Sequence, residues 1–224
     1  MSYPPPDKLI AVTFDDGPCA GTGRLLAILE EQCVQATFFL TGGHIRSFRK
    51  EAESIFMAGH ELANHTDNHS RLGPSEAADG GPTPDEAAVR AAIEPVSSLI
   101  RGITGTLPPY MRAPFLSYSP ALFKVASEMN LPLIDMSANS FDYNGIPATQ
   151  IFDNVMAQAS DGGIILLHEP YESTKAALPR LFDELRMKGY ELSSVGHMAK
   201  KRGICLQGGM VYREIPLRGI AKIG

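Results

Sequence analysis

The stretch KLIAVTFDDGP (residues 8–18) is an apolar run that stops at two adjacent acidic residues and a Gly-Pro turn. Its first part predicts a buried strand, because it is continuous, β-rich and bounded by Pro-rich residues before and Asp-Asp-Gly-Pro after. Asp15 and Asp16 repel each other and need water. They form either a solvated turn or a site in which one carboxylate binds a metal and the other handles a proton. Partners elsewhere in the sequence decide between these interpretations.

The rest of the chain alternates strand-like and helical segments. Further strands are predicted at 35–42, 60–65, 110–115, 131–137, 162–168 and 190–196. Helices are predicted at 23–33, 48–60, 83–105, 119–130, 147–160 and 175–188, the third with a break at Pro95. Such alternation predicts an α/β fold with a mainly parallel sheet, in the form of a closed or incomplete barrel. The tail 208–224 is either a closing strand or a flexible end.

Composition narrows the class of protein. The 224 residues are 44% hydrophobic and 20% charged, which is typical of a globular domain with a core. A net charge of −5 argues against nucleic acid as a partner. We find no apolar run long enough to span a membrane and no signal peptide, so we expect an intracellular protein or the mature form of a secreted one. The three cysteines are widely spaced and predict neither a disulfide framework nor a cysteine-based zinc site.

Polar residues that end predicted strands are the candidates for a site, because active sites of such folds lie at the carboxyl ends of the strands. These residues are Asp15, Asp16, His65, Arg112, Asp135 or Asp142, and His168. In NHTDNHS (64–70), His65 and His69 are four residues apart, which allows both imidazoles to bind one ion across a turn. One Asp and two His are typical of an open catalytic metal site. The alternatives are two surface histidines, a core-edge His168 and a surface Arg112.

The segments TFDDGP, HTDNH, RAPF, SFDY and ILLH occur in this order and at suitable spacing. With them the chain resembles the polysaccharide deacetylase (NodB-homology) family, carbohydrate esterase family 4, from about residue 8 to 195. The resemblance implies a distorted, incomplete (β/α) barrel, TIM-like, as a single domain over 1–224. It also implies a metal-dependent enzyme that removes acetyl groups from a carbohydrate polymer or oligomer such as chitin, peptidoglycan or acetylated xylan.

The same resemblance implies roles for individual residues. Asp16, His65 and His69 bind one divalent metal; we expect zinc, and cobalt, nickel or iron also suit these ligands. Asp15 is the general base, and Arg112 holds it in place as an ion-pair partner.

The remaining roles concern the substrate and the leaving group. His168 is the general acid, oriented by Asp142. The backbone N–H of Phe115 helps to bind the oxyanion, Leu166 lines the acetyl pocket, and Tyr143 forms an aromatic wall.

Several residues depart from the pattern of this family. Phe115 and Leu116 stand where Tyr and Gly are usual, and Asn139 and Tyr143 stand where Asp and Trp are usual. Glu169 follows the last histidine where Asp is commoner. These differences bear on the choice of substrate, and they favour an esterase acting on acetylated xylan over a deacetylase of chitin or peptidoglycan.

Two other functions stay open on the sequence. One is a metal-dependent hydrolase of C–N bonds in a small-molecule amide, since no signal peptide is visible. The other is a carbohydrate-binding protein without activity, although such a protein would usually have lost a ligand or the base. The expected partner is an acetylated carbohydrate; nothing indicates a nucleic acid, a membrane or an obligate protein partner. His44, His60 and His197 lie outside the motifs and are interpreted as structural or surface residues.

Overall fold

The structure is a computed structural model that describes residues 3–74 and 82–216. Its strands are β1 (Lys8–Gly17), β2 (Thr37–Leu40), β3 (Glu61–Asn64), β4 (Leu133–Ile134), β5 (Ala138–Asn139), β6 (Ile164–His168), β7 (Tyr190–Ser193) and β8 (Val211–Tyr212). Its helices are α1 (Thr22–Glu31), α2 (Gly42–Ser47), α3 (Arg49–Met57), α4 (Glu86–Thr104), α5 (Pro120–Glu128), α6 (Ala148–Gln158), α7 (Glu172–Met187) and α8 (Val195–Lys201).

The strands run parallel around a curved wall. The main sheet has the order β3-β2-β1-β6-β5, and β7 pairs with the first half of β1. Beyond β3 the wall continues through bridges at Met111, which joins Asn64 of β3 to Leu133 of β4, and β4 in turn pairs with β8. The segment that contains β4 and β5 thus contacts β3, through Met111, at one end of the sheet and β6 at the other. This arrangement confirms the predicted α/β fold, a distorted and incomplete (β/α) barrel.

Strand β1 lies at the centre of the sheet and separates two packed layers. Ile10, Val12 and Phe14 point outward and pack with apolar residues of the surrounding helices. Leu9 and Ala11 point into the barrel, where they join the apolar residues of the interior. Because side chains alternate along a strand, Asp15 follows the inward series. The same alternation that buries the core therefore aims the first acid of DDGP into the barrel.

Some predicted elements differ from the structure. Helix α4 continues through Pro95, so the predicted break is wrong. Carbonyl groups just before this proline accept hydrogen bonds from outside the helix, Ala92 from the Asp67 N–H at 2.8 Å and Ile93 from Asn64 Nδ2 at 2.8 Å. These contacts and the buried apolar face of α4 hold the helix together where proline removes a helical hydrogen bond.

The other differences concern short elements. The predicted strand 110–115 is reduced to the bridge at Met111, followed by a 3₁₀ turn at Pro114–Leu116. Helices α2 and α8 and strand β5 were not predicted. The tail contributes β8, and residues 217–224 of the tail lie outside the described residues. No helix among the described residues combines the length and the apolar character that crossing a membrane requires.

Candidate active site

A cavity of about 440 Å³ opens at the carboxyl ends of the parallel strands. Among the residues lining it are the predicted Asp15, Asp16, His65, His69, Phe115, Tyr143, Leu166 and His168. Arg112 and Asp142 are fully buried and contact Asp15 and His168 directly. The structure therefore brings all the predicted site residues to one mouth of the barrel.

A local irregularity explains how two adjacent acids reach the same cavity. Regular alternation would send Asp16 outward, on the side of Phe14. Instead, the register of β1 against β2 shifts between Asp15 and Gly17, and Asp16 has a left-handed backbone with φ of 67°. Such a bulge re-aims a side chain at the end of a strand. Both carboxylates therefore line the cavity.

Three side chains converge in a way that suits a cation. Asp16 Oδ1 lies 3.3 Å from His69 Nε2 and 3.5 Å from His65 Nε2. Possible ligand atoms of the three residues lie within 4.8 Å of one another. Asp16 Oδ1 is buried and has no hydrogen-bond partner among the described residues. A buried acceptor without a donor is costly, and a divalent ion is the kind of group that would satisfy it. The residues present fit a metal.

The protonation of these groups also favours a cation. Burial alone raises the pKa of Asp16, but the neighbouring imidazoles of His65, His69 and His168 outweigh it and lower the pKa to about 2. Burial, assisted by His65, lowers the pKa of His69. A carboxylate that stays ionised and an imidazole that stays neutral are the forms that bind metal ions.

The turn that carries the two histidines is fixed by its neighbours. His65 Nδ1 lies 2.8 Å from the carbonyl oxygen of Arg112 and donates to it, so in the neutral ring the lone pair is on Nε2, which faces Asp16. Main-chain N–H groups at the start of α2 donate to the turn, Gly42 to Thr66 O at 3.1 Å and Gly43 to Asp67 O at 2.8 Å. An Arg46–Asp67 ion pair adds a further link between α2 and the turn.

Helix α2 also contacts the backbone of Asp16, the third candidate metal ligand. His44 Nδ1 donates to the carbonyl oxygen of Asp16 across 2.7 Å. His44 is exposed, as the interpretation of a surface histidine requires, yet it supports the backbone of a candidate ligand. Because the contact joins residues that are 28 positions apart, the sequence around His44 gave no signal for it.

Arg112 and Asp15 form a fully buried ion pair. Arg112 Nη1 donates to Asp15 Oδ1 at 2.6 Å, and the arginine has no exposed surface. Its other contacts are Thr13 Oγ1 at 2.8 Å, Asp135 O at 2.9 Å and Ile134 O at 3.1 Å. A buried guanidinium is tolerated only when its N–H groups are satisfied in this way. The pair leaves Asp15 Oδ2 directed at the cavity, 3.7 Å from His65 Nε2.

Asp135 and Asp142 were both candidates for the acid that ends a strand, and the structure separates them. The carboxylate of Asp135 accepts from the N–H of Met136 at 2.7 Å and contacts Arg213 Nε at 3.2 Å, away from the cavity. Asp142 instead contacts His168: Oδ1 lies 2.7 Å from the imidazole Nδ1, and Oδ2 accepts the His168 backbone N–H at 2.8 Å. Asp142 is therefore the residue that orients the histidine.

The Asp142–His168 pair stabilises an imidazolium. Burial lowers the pKa of His168, but the hydrogen bond to Asp142 and the charges of Asp15, Asp142 and Asp16 outweigh it, so the net effect raises that pKa. Burial raises the pKa of Asp142, and the contacts with His168 and Thr174 reverse the direction and lower it. A protonated His168 facing a cavity can act as a general acid.

The loop after Arg112 brings a backbone donor to the cavity. Phe115 has a left-handed backbone with φ of 59°, and its N–H donates to no other described residue. Its ring is 58% exposed and meets His69 edge to face, with centroids 4.7 Å apart. A free N–H next to a candidate metal site is a suitable donor to a developing oxyanion.

The cavity also contains Tyr171, which the sequence did not identify, and Asn139, which the sequence marked only as a departure from the family pattern. Tyr171 follows β6 and packs edge to face with His168 at 6.1 Å between centroids. Asn139 lines the cavity from the end of β5, beside Tyr143. A signal for Tyr171 was available, since it is an aromatic residue in the loop after a strand that ends in a site histidine.

A parallel α/β barrel with a carboxylate and two imidazoles converging at its carboxyl edge has the architecture of a metal-dependent hydrolase. The family model described as polysaccharide deacetylase matches residues 2–134. The chain belongs to the polysaccharide deacetylase family, and the resemblance stated from the motifs is confirmed.

Individual relatives extend the match toward the end of the chain. The bifunctional xylanase/deacetylase of Pseudobutyrivibrio xylanivorans is 30% identical over 200 residues, which cover 88% of this chain and 31% of that protein. The peptidoglycan-N-acetylglucosamine deacetylase of Bacillus cereus is 29% identical over 185 residues, 80% of this chain and 64% of that protein. The chain thus spans less than two thirds of the length of either curated relative.

Solved structures show the same fold. A family 4 acetyl xylan esterase from Clostridium thermocellum, solved in complex with a cobalt ion, has a TM-score of 0.83 and 28% sequence identity to this chain. The superposition covers 94% of this chain and 100% of that one.

Proposed function

We propose that this protein is a metal-dependent carbohydrate deacetylase. The observation that carries the proposal is the buried Asp16 Oδ1, which has no hydrogen-bond partner within residues 3–74 and 82–216 and lies beside two imidazoles, in the same cavity as the Asp142–His168 pair. One side of the cavity suits a cation, and the other suits a proton donor. Membership of the polysaccharide deacetylase family supports acetylated carbohydrates as the substrate class.

Asp16, His65 and His69 would hold one divalent ion. When bound, such an ion lowers the pKa of a water ligand and polarises an acyl carbonyl. Zinc is our proposal, because one carboxylate and two imidazoles with open positions are typical of catalytic zinc sites. The cobalt in the similar Clostridium thermocellum esterase supports a divalent metal, and cobalt, nickel or iron would suit the same ligands.

The base and the oxyanion donor follow from the contacts around Asp15 and Phe115. Arg112 engages Asp15 Oδ1 at 2.6 Å, which leaves Oδ2 to take the proton of the attacking water. The N–H of Phe115 donates to the carbonyl oxygen of the acetyl group as negative charge develops there. Loss of such a donor typically costs roughly 3–4 kcal/mol of transition-state stabilisation.

His168 serves the leaving group. Its Nδ1–H donates to Asp142, so the proton on Nε2 is free to pass to the departing sugar oxygen or nitrogen. Leu166 is only 5% exposed and offers an apolar surface to the acetyl methyl. Tyr143 supplies the aromatic wall beside it.

Within this class we propose acetylated xylan as the preferred substrate, ahead of chitin or peptidoglycan. The proposal rests on Phe115, Leu116, Asn139 and Tyr143, which alter the walls of the cavity relative to the family pattern. The names of relatives include both xylan-acting and peptidoglycan-acting enzymes, so they support the class more strongly than the polymer.

Acetate release from acetylated xylan and from chitin oligosaccharides tests this function. We expect acetate from xylan at the higher rate, and Asp15→Asn should reduce kcat by about 10²–10⁴-fold, as for loss of a general base. The asparagine keeps the size of the side chain and the hydrogen bond with Arg112, so folding should be preserved. Acetate from neither polymer, together with hydrolysis of small amides, would contradict the proposal.

A further inference from the structure

We propose that Asn139 turns the hydroxyl of Tyr143 into a fixed hydrogen-bond donor to a sugar oxygen of the substrate. The inference rests on the proposed function and deepens it, because it assigns a residue that recognises the sugar rather than the acetyl group. The acceptor of this hydrogen bond would be a hydroxyl or ether oxygen of the acetylated sugar.

The orientation of the Asn139 amide is determined by its surroundings. Its Oδ1 accepts the backbone N–H of Phe141 at 2.9 Å, so this atom must be the oxygen. Gln158 fixes the main chain of Asn139, donating from Nε2 to its carbonyl at 2.9 Å and accepting its N–H at 3.2 Å. The side chain is largely buried, with 8% of its surface exposed. Asn139 Nδ2 consequently points toward Tyr143.

This orientation controls the proton of the tyrosine. Asn139 Nδ2 donates to the hydroxyl oxygen of Tyr143 across 3.3 Å. The oxygen thus acts as an acceptor toward Asn139, and its own hydrogen must point elsewhere. Among the described residues, that hydroxyl forms no hydrogen bond other than the one with Asn139. The O–H group is a donor held in place without an acceptor.

The position of this donor suits a sugar. Tyr143 is 44% exposed and lines the cavity, and its ring meets His168 edge to face at 5.3 Å between centroids. A donor beside the general acid lies close to the atom that leaves with the sugar. The acetyl methyl cannot accept a hydrogen bond, whereas the ring of a sugar carries several oxygens that can.

A comparison of two substrates tests the inference. Tyr143→Phe should lower kcat/KM for an acetylated xylo-oligosaccharide by about tenfold, mainly through KM, because the lost hydrogen bond is made in the ground state as well. The same variant should lose much less, under about twofold, on 4-nitrophenyl acetate, because this ester has no sugar oxygen and phenylalanine keeps the aromatic wall. Tyr3→Phe removes a hydroxyl that bonds to Asp183 at the surface and serves as the control, with no change on either substrate.

Asn139→Asp tests the role of Asn139 independently of the Tyr143 substitution. The carboxylate still accepts the Phe141 N–H, but it would also accept the tyrosine proton and so withdraw the donor from the cavity. Asn139→Asp should therefore lower kcat/KM for the acetylated xylo-oligosaccharide by the same factor as Tyr143→Phe. The double variant should lower it no more than either single variant.

The outcomes that overturn the inference differ from failure of the proposed function. Equal losses on the sugar and on the aryl ester, or full activity of Tyr143→Phe on the sugar, would contradict the donor role alone. Additive losses in the double variant would contradict the role of Asn139. A wild-type enzyme that releases no acetate from any acetylated sugar would contradict the proposed function and the inference with it.

Discussion

The two sides of the cavity differ in how completely the protein satisfies the hydrogen bonds of one carboxylate on each side, Asp16 and Asp142. On the side of β1 and β3, Asp16 Oδ1 meets two imidazoles and has no hydrogen-bond donor among the described residues. On the side of β5 and β6, the carboxylate of Asp142 accepts hydrogen bonds from the main chain and imidazole of His168 and from the hydroxyl of Thr174. The carboxylate of Asp16 is incomplete without a ligand, and the carboxylate of Asp142 has its hydrogen-bond partners within the protein.

This difference separates two ways of building a site. A buried acceptor that lacks a donor costs about 1–3 kcal/mol, so it reduces stability unless a ligand occupies it. A carboxylate with all its hydrogen bonds stabilises the fold and fixes its partner in one orientation. The comparison predicts that matched Asp→Asn substitutions on the two sides differ in their effects on activity and on stability.

Asp16→Asn should have the largest effect on activity. We expect a loss of at least about a thousandfold in kcat, because a catalytic cation supplies several kcal/mol of transition-state stabilisation. Asparagine tolerates the left-handed backbone at this position, so the turn should be kept. The metal-free variant should lose less stability to urea than Asp142→Asn, since the substitution removes no hydrogen bond of Asp16 Oδ1 to a described residue. A marked loss of stability in the metal-free state would contradict an incomplete site.

Asp142→Asn should lower kcat by about a hundredfold and shift its pH dependence. A general acid is active while protonated, so activity falls as pH rises through the pKa of His168. Asp142 raises that pKa, and its removal should therefore move the alkaline limb of the kcat profile to lower pH. Metal affinity should stay at the wild-type level.

The same variant should also lose more stability than Asp16→Asn. The contribution of a pair in which the pKa of the histidine is raised is present at low pH and disappears as pH rises through that pKa. The destabilisation by Asp142→Asn should therefore shrink with rising pH. A pH-independent loss, or an unmoved kcat profile, would contradict the role of the pair.

A third contact joins the two sides and should have a smaller effect. The hydroxyl of Thr22 contacts Glu169 Oε1, which ties the turn after Asp16 to the turn after His168. Glu169 is 1% exposed, so Thr22→Val leaves its buried Oε1 with only the Cys19 thiol as a donor, at 3.7 Å, and should cost about 1–3 kcal/mol of unfolding free energy. We expect kcat to fall by about tenfold, which is typical when a residue that positions metal ligands without binding the metal is lost.

A matched pair elsewhere in the barrel provides the control for this variant. Thr37 Oγ1 donates to Glu61 Oε2 at 2.7 Å, at the opposite ends of strands β2 and β3 from the cavity. Thr37→Val should lower stability by a similar amount and leave kcat unchanged. Equal losses of activity in the two valine variants would show that Thr22 acts only through overall stability.

The sequence predicted most of the site because parallel strands bring their carboxyl ends together. Asp15, His65 and His168 each end a predicted strand, and the fold places them around one mouth. Alternation along β1 places Asp15 on the same inward side as Leu9 and Ala11, toward Arg112. Motifs at strand ends therefore carry strong information.

Other features depend on tertiary contacts that no local pattern encodes. Asp16 faces the cavity only because of a bulge and a left-handed backbone. Helix α2 has six residues, too few for a clear period, yet it supports both Asp16 and the histidine turn. Pro95 predicted a break in α4, but hydrogen bonds from the histidine turn and buried packing keep the helix continuous. The direction of the Tyr143 hydroxyl depends on Asn139, whose own orientation comes from the Phe141 backbone.

The central claim is that Asp16, His65 and His69 hold one divalent ion that deacetylation requires. The most direct measurement is a titration of metal-stripped enzyme with zinc, in which bound metal and acetate release from acetylated xylan are followed in the same samples. The account predicts no acetate without metal, activity that rises in proportion to occupancy up to one ion per chain, and neither binding nor activity in His69→Ala. Full acetate release by the metal-stripped enzyme, or unchanged zinc binding and activity in His69→Ala, would contradict it.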